Sequence, residues 1–390
     1  MVWSAEIEAF VEAHIRDDVR RLALQNSALK GEELRAALMQ IELRQRMLDK
    51  LPTIATTKGI FFASRLSTEQ CSSEMTAAYK QKIIGSGYKN GVDMTAGMGI
   101  DTIFMARACE KMAYIERDRA LAEAARHNMR LLAQNVEIRQ MTAEEWLDAS
   151  DEQYDFGFID PARRGTKGER VYGMGDCEPD VRKLRPRMLE RCRKVLVKLS
   201  PMIDIKECID ELSPTQVHVV SVNNECKEVL ALLETERVGE CKVTAVELSR
   251  EIEMQFQFSD EMRCMPVYAE RVERGMMLGE PYAAMMKAGA WRLMAERYGA
   301  RMVAANSHLY VGERMTDFPG RRFVVTEVSE FTKRDAQRML AGQANLAVRN
   351  FPATVAELRR KYRCADGGER YLFLTTDNWG RKLIIECKKL

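Results

Sequence analysis

The sequence predicts an α/β protein whose central part is a Rossmann-like, doubly wound sheet of mostly parallel strands. Three observations support this fold class. Residues 91–258 alternate short apolar segments with amphipathic helical segments, residues 1–66 show only helical patterns, and residues 259–390 mix both. We therefore expect an N-terminal helical domain over 1–66, the doubly wound domain over 67–258, and a C-terminal α+β module that divides near residue 320.

The N-terminal part shows the apolar spacing of amphipathic helices. Residues 4–50 are expected to form two helices, the first capped by Ser4 and the second running from about Glu32 to Leu51, before Pro52. Ser67, with Gln70 three residues later, is expected to cap another helix that continues to about residue 84.

Strands of the doubly wound domain are predicted from short apolar segments. These are GVDM, MAYIE, VEIRQ, YDFGFID, KVLVKLS and VHVVSV, after which a hairpin-like NNECKE leads into VLALLE. In the C-terminal module, EPYAAMMKAGAWRLMAERYG resembles one helix that ends at a glycine. Strand FVVTEVSEF, a helix from Lys333, strand QANLAVRNF, helix VAELRRKYR and strands YLFLTT and KLIIECKK follow.

Composition describes a globular protein and argues against several classes. Hydrophobic residues make up 46% and charged residues 30% of the chain. No apolar run approaches the length of about 20 residues that spans a membrane, and the N-terminus lacks the pattern of a signal peptide. We therefore expect a cytoplasmic protein. The 10 cysteines form no CxxC pair and only 4 histidines are present, so we predict reduced thiols and no metal site.

Charge is distributed unevenly along the chain. The net charge is only +2, but residues 276–390 contain 20 Lys and Arg against 12 Asp and Glu. A basic C-terminal third on an acidic body indicates a module for a polyanion.

Acidic residues and glycines stand at the predicted carboxyl ends of the strands. Asp93 ends the first strand, Gly97 and Gly99 form a turn before a helix, and Glu116 and Asp160 end the second and fourth strands. A carboxylate in the position of Glu116 can accept hydrogen bonds from ribose hydroxyls, and ligands of such sheets bind at this edge.

The residues of the turn favour S-adenosylmethionine (SAM) over a dinucleotide. Thr102 replaces the third glycine of the dinucleotide pattern, and Asp101 stands where a pyrophosphate would bind the helix N-terminus. Asp93 and Asp101 would repel a pyrophosphate but suit the ammonium and sulfonium groups of SAM. Asp101 as a simple helix N-cap is the alternative interpretation.

Three segments carry a family resemblance. DMTAGMGIDT, YIERDRALAEAARHN and FIDPARRG resemble successive motifs of class I SAM-dependent methyltransferases. With EQCSSEMTAAYK, GDCEPDV, VLVKLSPM, VSVNNECKE, KAG and RNFP, the chain is similar to a bacterial family with a THUMP-like C-terminal domain. The resemblance implies a ferredoxin-like segment over 259–320 and a THUMP-like domain over 321–390.

The resemblance also implies a set of cofactor-binding residues. Asp93, Gly97, Gly99 and Glu116 match positions that bind SAM, and the helix around Gln70, Ser73 and Glu74 matches one that closes over the methionine end. Where many relatives carry an adenine-binding Asp, this chain has Met141-Thr142-Ala143, so Thr142 or backbone groups would have to serve. The full predicted set is Gln70, Ser73, Asp93, Ala96, Gly97, Gly99, Asp101, Glu116, Arg117, Thr142, Ala143 and Asp160.

Asp160-Pro161-Ala162-Arg163 occupies the place of the motif that presents the methyl acceptor. It resembles (N/D/S)PP(Y/F/W) of enzymes that methylate exocyclic amines, but an arginine replaces the aromatic residue. We predict Asp160 and Arg163 as catalytic residues. A DPxR sequence is also similar to that of pyrimidine C5 methyltransferases, which would need a cysteine nucleophile such as Cys226.

The basic C-terminal third and the THUMP-like resemblance together predict structured RNA, tRNA or rRNA, as the acceptor. The predicted substrate-binding residues are Arg163, Arg164, Lys198, Asn223, Arg349, Arg359 and Arg360. Two alternatives stay open at this point. The acceptor is a small molecule or a protein, or the chain is a catalytically decayed RNA-binding protein.

Overall fold

A computed structural model describes residues 3–24, 29–149, 151–163, 175, 177–236 and 239–390. The chain divides into two compact units. The first contains Met1–Thr215 and Val229–Gly239, and the second contains Gln216–Glu228 and Glu240–Leu390.

The N-terminal part of the first unit is helical, as predicted, but its helices are shorter and more numerous. They are α1 (Ala5–His14), α2 (Val19–Leu24), α3 (Gly31–Met47), α4 (Pro52–Thr56), α5 (Arg65–Gln70) and α6 (Glu74–Ile84). The Ser4 hydroxyl caps α1 by accepting a hydrogen bond from the Ile7 N–H, which confirms the predicted cap.

Two predicted helix boundaries in this part are wrong. Pro52 does not simply stop a long helix: α3 ends at Met47, and Pro52 is the first residue of α4, a position that needs no N–H donor. Ser67 caps nothing, because Ser64 caps α5 and Ser73 caps α6. The predicted single helix is therefore two helices, each with its own serine cap.

The remainder of the first unit alternates strands and helices. Its elements are β1 (Tyr88–Asp93), α7 (Ile100–Met105), β2 (Cys109–Ile115), α8 (Arg119–Leu132), β3 (Val136–Arg139), α9 (Ala143–Ala149), β4 (Phe156–Ile159), β5 (Ala162–Arg163), β6 (Cys177–Glu178), α10 (Val181–Arg191), β7 (Lys194–Leu199) and α11 (Ile205–Leu212). This succession confirms the predicted alternation.

Strand order explains why the polar strand ends meet. β1 lies between β2 and β4 and pairs in parallel with both. On the outer sides, β3 pairs in parallel with β2, and β7 pairs in parallel with β4. The strands that follow β1 in the chain therefore lie on both sides of it. In such sheets the crevice between the two central strands, at their carboxyl ends, is where ligands bind. Asp93 at the end of β1 and Asp160 just after β4 stand at that crevice.

The second unit begins with β8 (Gln216–Val222), whose chain turns at Asn223 and Asn224 into β9 (Glu225–Glu234). Both asparagines have positive φ, as the favoured two-residue hairpin turn requires. β8 pairs in parallel with β10 (Lys242–Glu247), which pairs antiparallel with β11 (Ile252–Phe256). The later residues of β9 belong to the first unit, where they pair antiparallel with β7.

The C-terminal module contains a seven-stranded sheet. Its elements are α12 (Phe258–Arg263), β12 (Met277–Pro281), α13 (Ala283–Ala288), α14 (Trp291–Arg297), β13 (Arg301–Met302), β14 (Tyr310–Gly312), β15 (Gly320–Glu330), α15 (Lys333–Met339), β16 (Asn345–Arg349), α16 (Val355–Tyr362), β17 (Arg370–Thr376) and β18 (Lys382–Lys389). The strand order is β13-β14-β12-β15-β18-β17-β16. The single helix predicted over EPYAAMMKAGAWRLMAERYG is wrong: its start is strand β12, and Gly289 separates α13 from α14.

Two buried clusters hold this module together. Leu278, Phe323, Val325, Phe373 and Ile385 belong to one, and Leu340, Leu358, Leu372 and Ile384 belong to the other. Successive residues of β17 and β18 belong to different clusters, because successive side chains of a strand point to opposite faces. Within the described residues, no helix is both long and apolar enough to cross a membrane.

Candidate functional site

Asp93 is the most deeply buried acid at the carboxyl edge of the first unit. Its side chain is inaccessible to solvent, and its carboxylate accepts hydrogen bonds from the Thr102 hydroxyl (2.6 Å) and the Thr95 N–H (3.2 Å). Burial, reinforced by the neighbouring carboxylates of Asp101 and Asp160, raises the pKa of Asp93 to about 8. In the absence of a nearby cation this carboxyl group therefore holds a proton at neutral pH.

The two glycines of the turn after Asp93 have different surroundings. Both have positive φ, +56° at Gly97 and +78° at Gly99. A Cβ at Gly99 would lie 2.4 Å from Cε of Met129 and 3.3 Å from Cε2 of Tyr114, so a side chain there would have to displace the end of Met129 as well as adopt a strained backbone conformation. A Cβ at Gly97 would meet nothing closer than a backbone oxygen at 4.0 Å. The turn at Gly97 consequently borders open space, as expected where a ligand approaches the backbone.

Glu116 holds this turn from the neighbouring strand. Its carboxylate accepts hydrogen bonds from the N–H groups of Gly97 (2.9 Å) and Asp118 (2.8 Å), just beyond the end of β2. The Tyr114 hydroxyl donates to the Gly97 carbonyl oxygen at 2.5 Å. The turn is thus fixed by a carboxylate and a phenol, both supplied by β2 or the residue that follows it.

Asp101 forms a buried ion pair that sequence reasoning missed. Its carboxylate lies 3.1 Å from Nζ of Lys80 and accepts a hydrogen bond from the Ser72 hydroxyl at 2.7 Å, and Lys80 also donates to Ser72 at 3.0 Å. Lys80 has no solvent exposure. Burial acts to raise the pKa of Asp101, but the ammonium groups of Lys80 and Lys198 outweigh it and the pKa is lowered.

This contact changes the interpretation of Asp101. Gly99, not Asp101, is the N-cap residue of α7, so the simple N-cap alternative is wrong. A sequence signal for Lys80 did exist: it follows Ala77 and precedes Ile84 at helical spacing, and so lies on the buried face of α6. A lysine in that position needs a buried partner.

Asp160 and Lys198 form a second ion pair at the same edge. Nζ of Lys198 lies 2.5 Å from the Asp160 carboxylate, and the Asp160 N–H donates to the Thr95 hydroxyl at 2.7 Å. The Asp160 side chain is 38% exposed, whereas that of Lys198 is 16% exposed. Asp160 is therefore the partner that an approaching molecule can reach.

These charged groups make up one electrostatic cluster, which we call the acidic cluster: Asp93, Asp101, Asp160, Lys80 and Lys198. Asp101 and Asp160 raise the pKa of Asp93, and Lys198 lowers that of Asp101. While Asp93 is protonated, the carboxylates of Asp101 and Asp160 balance the ammonium groups of Lys80 and Lys198. A cation that binds beside Asp93 favours its ionisation, and the cluster then carries one net negative charge.

Four other predicted cofactor residues lie at helix ends of the first unit. Ser73 caps α6, and Gln70 is exposed at the end of α5. Thr142 exchanges hydrogen bonds with Glu145 at the start of α9, where Ala143 follows. Their contacts with a cofactor stay predictions.

The remaining residues predicted near the cofactor or the acceptor have separate positions. Ala96 is buried in the glycine turn, and Arg117 forms an ion pair with Glu178 at 3.0 Å. The backbone of Arg163 lies in β5, paired with β6, and Arg164 lies outside the described residues.

The hairpin of the second unit does not favour a cysteine nucleophile. Burial raises the pKa of Cys226 to about 11, so its thiol is protonated at neutral pH. Asn223, predicted to bind substrate, is exposed at the turn, and its N–H donates to the Ser249 hydroxyl at 2.9 Å.

Three arginines predicted to bind the acceptor differ in their surroundings. Arg349 pairs with the buried carboxylate of Glu280 at 2.6 Å. Arg359 donates to the carbonyl oxygens of Ala344 and Cys364, both at 3.2 Å, and is largely occupied inside the module. Arg360 is exposed.

Comparisons with known proteins agree with this architecture. A family model described as a THUMP domain-like domain matches residues 320–389, and one described as a ferredoxin-like domain matches residues 278–319. A crystal structure from Porphyromonas gingivalis W83, described as a candidate methyltransferase, is 33% identical, and the match covers 100% of both chains at a TM-score of 0.89. The chain belongs to this methyltransferase family with ferredoxin-like and THUMP-like C-terminal domains. Comparison with curated proteins gave no match.

More distant structures resemble only part of this family member. An rRNA methylase from Streptococcus thermophilus is 15% identical, with a TM-score of 0.30, over 41% of this chain and 93% of that chain. The candidate methyltransferase yhhF from Escherichia coli is 16% identical, with the same TM-score, over 42% and 85%. The assignment to the family rests on the full-length relative. Among the described residues, no group of three or more His, Cys, Asp or Glu could hold a metal ion.

Proposed function

We propose that the protein transfers a methyl group from SAM to a base in structured RNA, tRNA or rRNA. The acidic cluster beside the glycine turn is the observation that supports SAM as the methyl donor. It stands at the carboxyl ends of the central strands β1 and β4, where sheets of this kind bind ligands.

The residues present fit the charge of SAM. The methionine end of SAM has an ammonium, a sulfonium and a carboxylate, so its net charge of about +1 favours ionisation of Asp93 and complements the single negative charge that the cluster then carries. A pyrophosphate would instead approach the carboxylate of Asp101 and would oppose the ionisation of Asp93. At an effective dielectric near 20, two like charges about 4 Å apart repel by roughly 4 kcal/mol. The cluster therefore selects against a dinucleotide.

Glu116 and the open space at Gly97 suit the adenosine end. The Glu116 carboxylate is already oriented by two N–H groups, and each of its oxygens retains a lone pair for a ribose hydroxyl. Thr142 and Ala143 are our candidates for the adenine ring. Gln70, Ser73, Ala96 and Arg117 complete the proposed cofactor contacts.

The chemistry assigned to this chain is orientation of the acceptor and removal of its proton. Bound SAM supplies a methyl group activated by its sulfonium. The Asp160 carboxylate accepts a hydrogen bond from an acceptor N–H and takes the proton that the nitrogen loses once it is methylated. Lys198 is a positioning residue, because its ion pair holds the carboxylate in one orientation. Arg163 is proposed to bind or stack on the acceptor beside Asp160. Arg164 and Asn223 stay predicted substrate-binding residues.

Support for an RNA acceptor comes from the C-terminal module. Residues 320–389 match a THUMP domain-like family model, and the chain from residue 276 has an excess of basic residues. A reaction on tRNA or rRNA belongs in the cytoplasm, which is where we propose the protein acts.

Methyl transfer from tritiated SAM to RNA from a strain that lacks the gene tests this function. We expect label in tRNA or rRNA, at a nucleoside that mass spectrometry identifies by its absence from the deletion strain. Asp160→Asn should abolish incorporation and leave SAM affinity, measured by calorimetry, within a few fold. Label in protein or small molecules instead of RNA would overturn the acceptor. Failure to bind SAM would overturn the function as a whole.

A further inference from the structure

The C-terminal module has two adjoining cavities near the end of β15 and the helix α16. One, of about 510 Å³, is lined by Phe331, Phe351, Arg360, Lys361 and Lys382 among others. The other, of about 450 Å³, shares Phe331 and Lys361 with the first and adds Lys333, Tyr362 and Arg363. Because they share two residues, we treat them as one feature, the aromatic–basic cleft.

Aromatic rings line the wall of this cleft. Phe331 packs edge-to-face against Phe351, with ring centroids 5.0 Å apart, and against Tyr362 at 6.3 Å. All three are partly buried and rest on the cluster around Leu340. The rings are thus held rigidly by the core while each borders a cavity. A wall of this kind can accept a flat ring by stacking without having to order flexible side chains.

The cations of the cleft lack carboxylate partners. Lys333, Arg360, Lys361, Arg363 and Lys382 are exposed, and none of them forms an ion pair with a carboxylate of a described residue. Lys361 contacts only a ring, with Nζ 5.3 Å from the centroid of Tyr362. The one acid in the lining is Glu357, whose carboxylate accepts hydrogen bonds from the N–H and hydroxyl of Thr354 as part of a capping box. These hydrogen bonds lower the pKa of Glu357, and the nearby charge of Arg360 makes a smaller contribution in the same direction.

Several other basic residues of the same module differ from these five because they form ion pairs. Six arginines pair with acids within the module: Arg321 and Arg349 with Glu280, Arg338 with Glu327, Arg359 with Asp366, Arg370 with Glu386, and Arg381 with Asp377. Their charge is already matched inside the structure. The five cations of the cleft, by contrast, keep their charge available for a partner beside the aromatic wall.

We propose that the aromatic–basic cleft binds an unpaired segment of RNA, with one or two bases against the aromatic wall and the phosphates on the five cations. This rests on the proposed RNA acceptor and specifies which part of that RNA the module recognises. Base stacking on aromatic side chains and phosphate contacts to a basic rim are the two terms that bind single strands. A duplex would present only its backbone, because its bases are stacked inside the helix. Of the three arginines of this module that the sequence predicted to bind RNA, only Arg360 belongs to the cleft. Arg349 and Arg359 pair with acids of the module, and Lys333, Lys361, Arg363 and Lys382 take the phosphate-binding role in their place.

Binding of the full-length protein to two labelled RNAs tests the cleft. The probes are an eight-nucleotide oligouridine and a blunt RNA hairpin closed by a compact, stacked tetraloop, so that the hairpin offers no free single strand, measured by fluorescence anisotropy between about 50 and 200 mM KCl. The oligouridine should bind at least 10-fold more tightly than the hairpin. The double variant Arg360→Glu/Lys361→Glu should lose at least 10-fold in oligouridine affinity with a shallower salt dependence. Single-strand contacts contribute about 0.7 to the slope of log K against log salt for each phosphate neutralised.

A matched control reverses the same charge elsewhere in the module. Lys388 and Lys389 are exposed on β18 and do not line the cleft, so Lys388→Glu/Lys389→Glu should lose less than 3-fold. Phe351→Leu keeps apolar bulk but removes the ring, and should weaken oligouridine binding about 5-fold or more, since stacking on one aromatic is worth roughly 1–3 kcal/mol. An unchanged circular dichroism spectrum and unchanged thermal melting of each variant verify that the module is still folded.

Several outcomes would overturn the proposal. These are equal binding of hairpin and oligouridine, equal losses in the cleft and control variants, or tighter binding of a polyglutamate peptide than of RNA, which would mark a protein-docking surface. Failure of the proposed function is a separate result. It would appear as oligouridine binding in the cleft without transfer of label to any RNA, whereas transfer that is insensitive to the cleft variants would overturn the cleft alone.

Discussion

Asp93 should make the stability of the ligand-free protein fall as pH rises, and Asp93→Asn should remove that dependence. The carboxyl group is fully buried and accepts hydrogen bonds only from Thr95 and Thr102. Burial raises its pKa from the ordinary value of 3.8 to about 8. The amide of Asn resembles the protonated acid in shape, and the Thr102 hydroxyl can either donate to it or accept from it.

The sign and size of the effect follow from proton uptake on folding. Between about pH 4 and pH 8 the unfolded chain carries an ionised Asp93 and the folded protein a protonated one, so folding takes up one proton. The free energy of unfolding should then decrease by about 1.4 kcal/mol per pH unit from this residue, and by about 3 kcal/mol between pH 5 and 7.5. This contribution is fully favourable below the unfolded pKa and is lost as pH rises through the folded pKa.

Urea unfolding of wild type and Asp93→Asn at pH 5.0, 6.0, 7.0 and 7.5 measures the difference. The gap between the two proteins should widen in favour of the variant as pH increases, because all other titrating groups are common to both. Asp210→Asn makes the same chemical change at an exposed position and should follow wild type. Parallel curves for wild type and Asp93→Asn would refute the reasoning, since they would mean that Asp93 is ionised in the folded protein.

Three further changes test other contacts of the site. Glu116→Ala should weaken SAM binding by about 1.5–3 kcal/mol, the range for hydrogen bonds to a charged group, and an unchanged calorimetric affinity would remove this residue from the site. Lys80→Met should reduce the free energy of unfolding in urea by about 3–5 kcal/mol, because it leaves the buried carboxylate of Asp101 without its ammonium partner. The double variant Lys80→Met/Asp101→Leu should lose clearly less stability, and equal losses in the two variants would contradict a stabilising ion pair. Gly99→Ala should lower thermal stability by at least about 1 kcal/mol, because its φ is +78° and the new Cβ would overlap Met129, and a melting temperature equal to that of wild type would contradict the packing argument.

Removing the end of the chain is a poor test of the RNA surface. A chain ending at Glu330 would retain β15 but lose β18, which pairs with it along its length. Phe323 and Val325, both buried against that sheet, would be exposed. Loss of RNA binding after such a truncation would then report unfolding. Point variants on exposed residues avoid this problem.

The sequence by itself determined the order of strands and helices in the doubly wound domain and the acids at its strand ends. Alternating apolar segments report which residues face the core, and parallel strands bring their carboxyl ends to one edge. For that reason Asp93, Glu116 and Asp160 could be assigned to one site without coordinates. Helix ends were less predictable: the capping pattern predicted Ser67, whereas in the packed structure Ser64 caps α5 and Ser73 caps α6.

Only the tertiary structure decided which charged groups are partners. Lys80 and Asp101 are far apart in sequence and meet because α6 packs against α7, and Lys198 reaches Asp160 because β7 lies beside β4. The same holds for the arginines of the C-terminal module: Arg359 donates a hydrogen bond to the Cys364 carbonyl oxygen, whereas its neighbour Arg360 is exposed. Periodicity specifies the face on which a side chain lies, but the partner on the opposing element depends on how the elements pack, and that is a property of the whole fold.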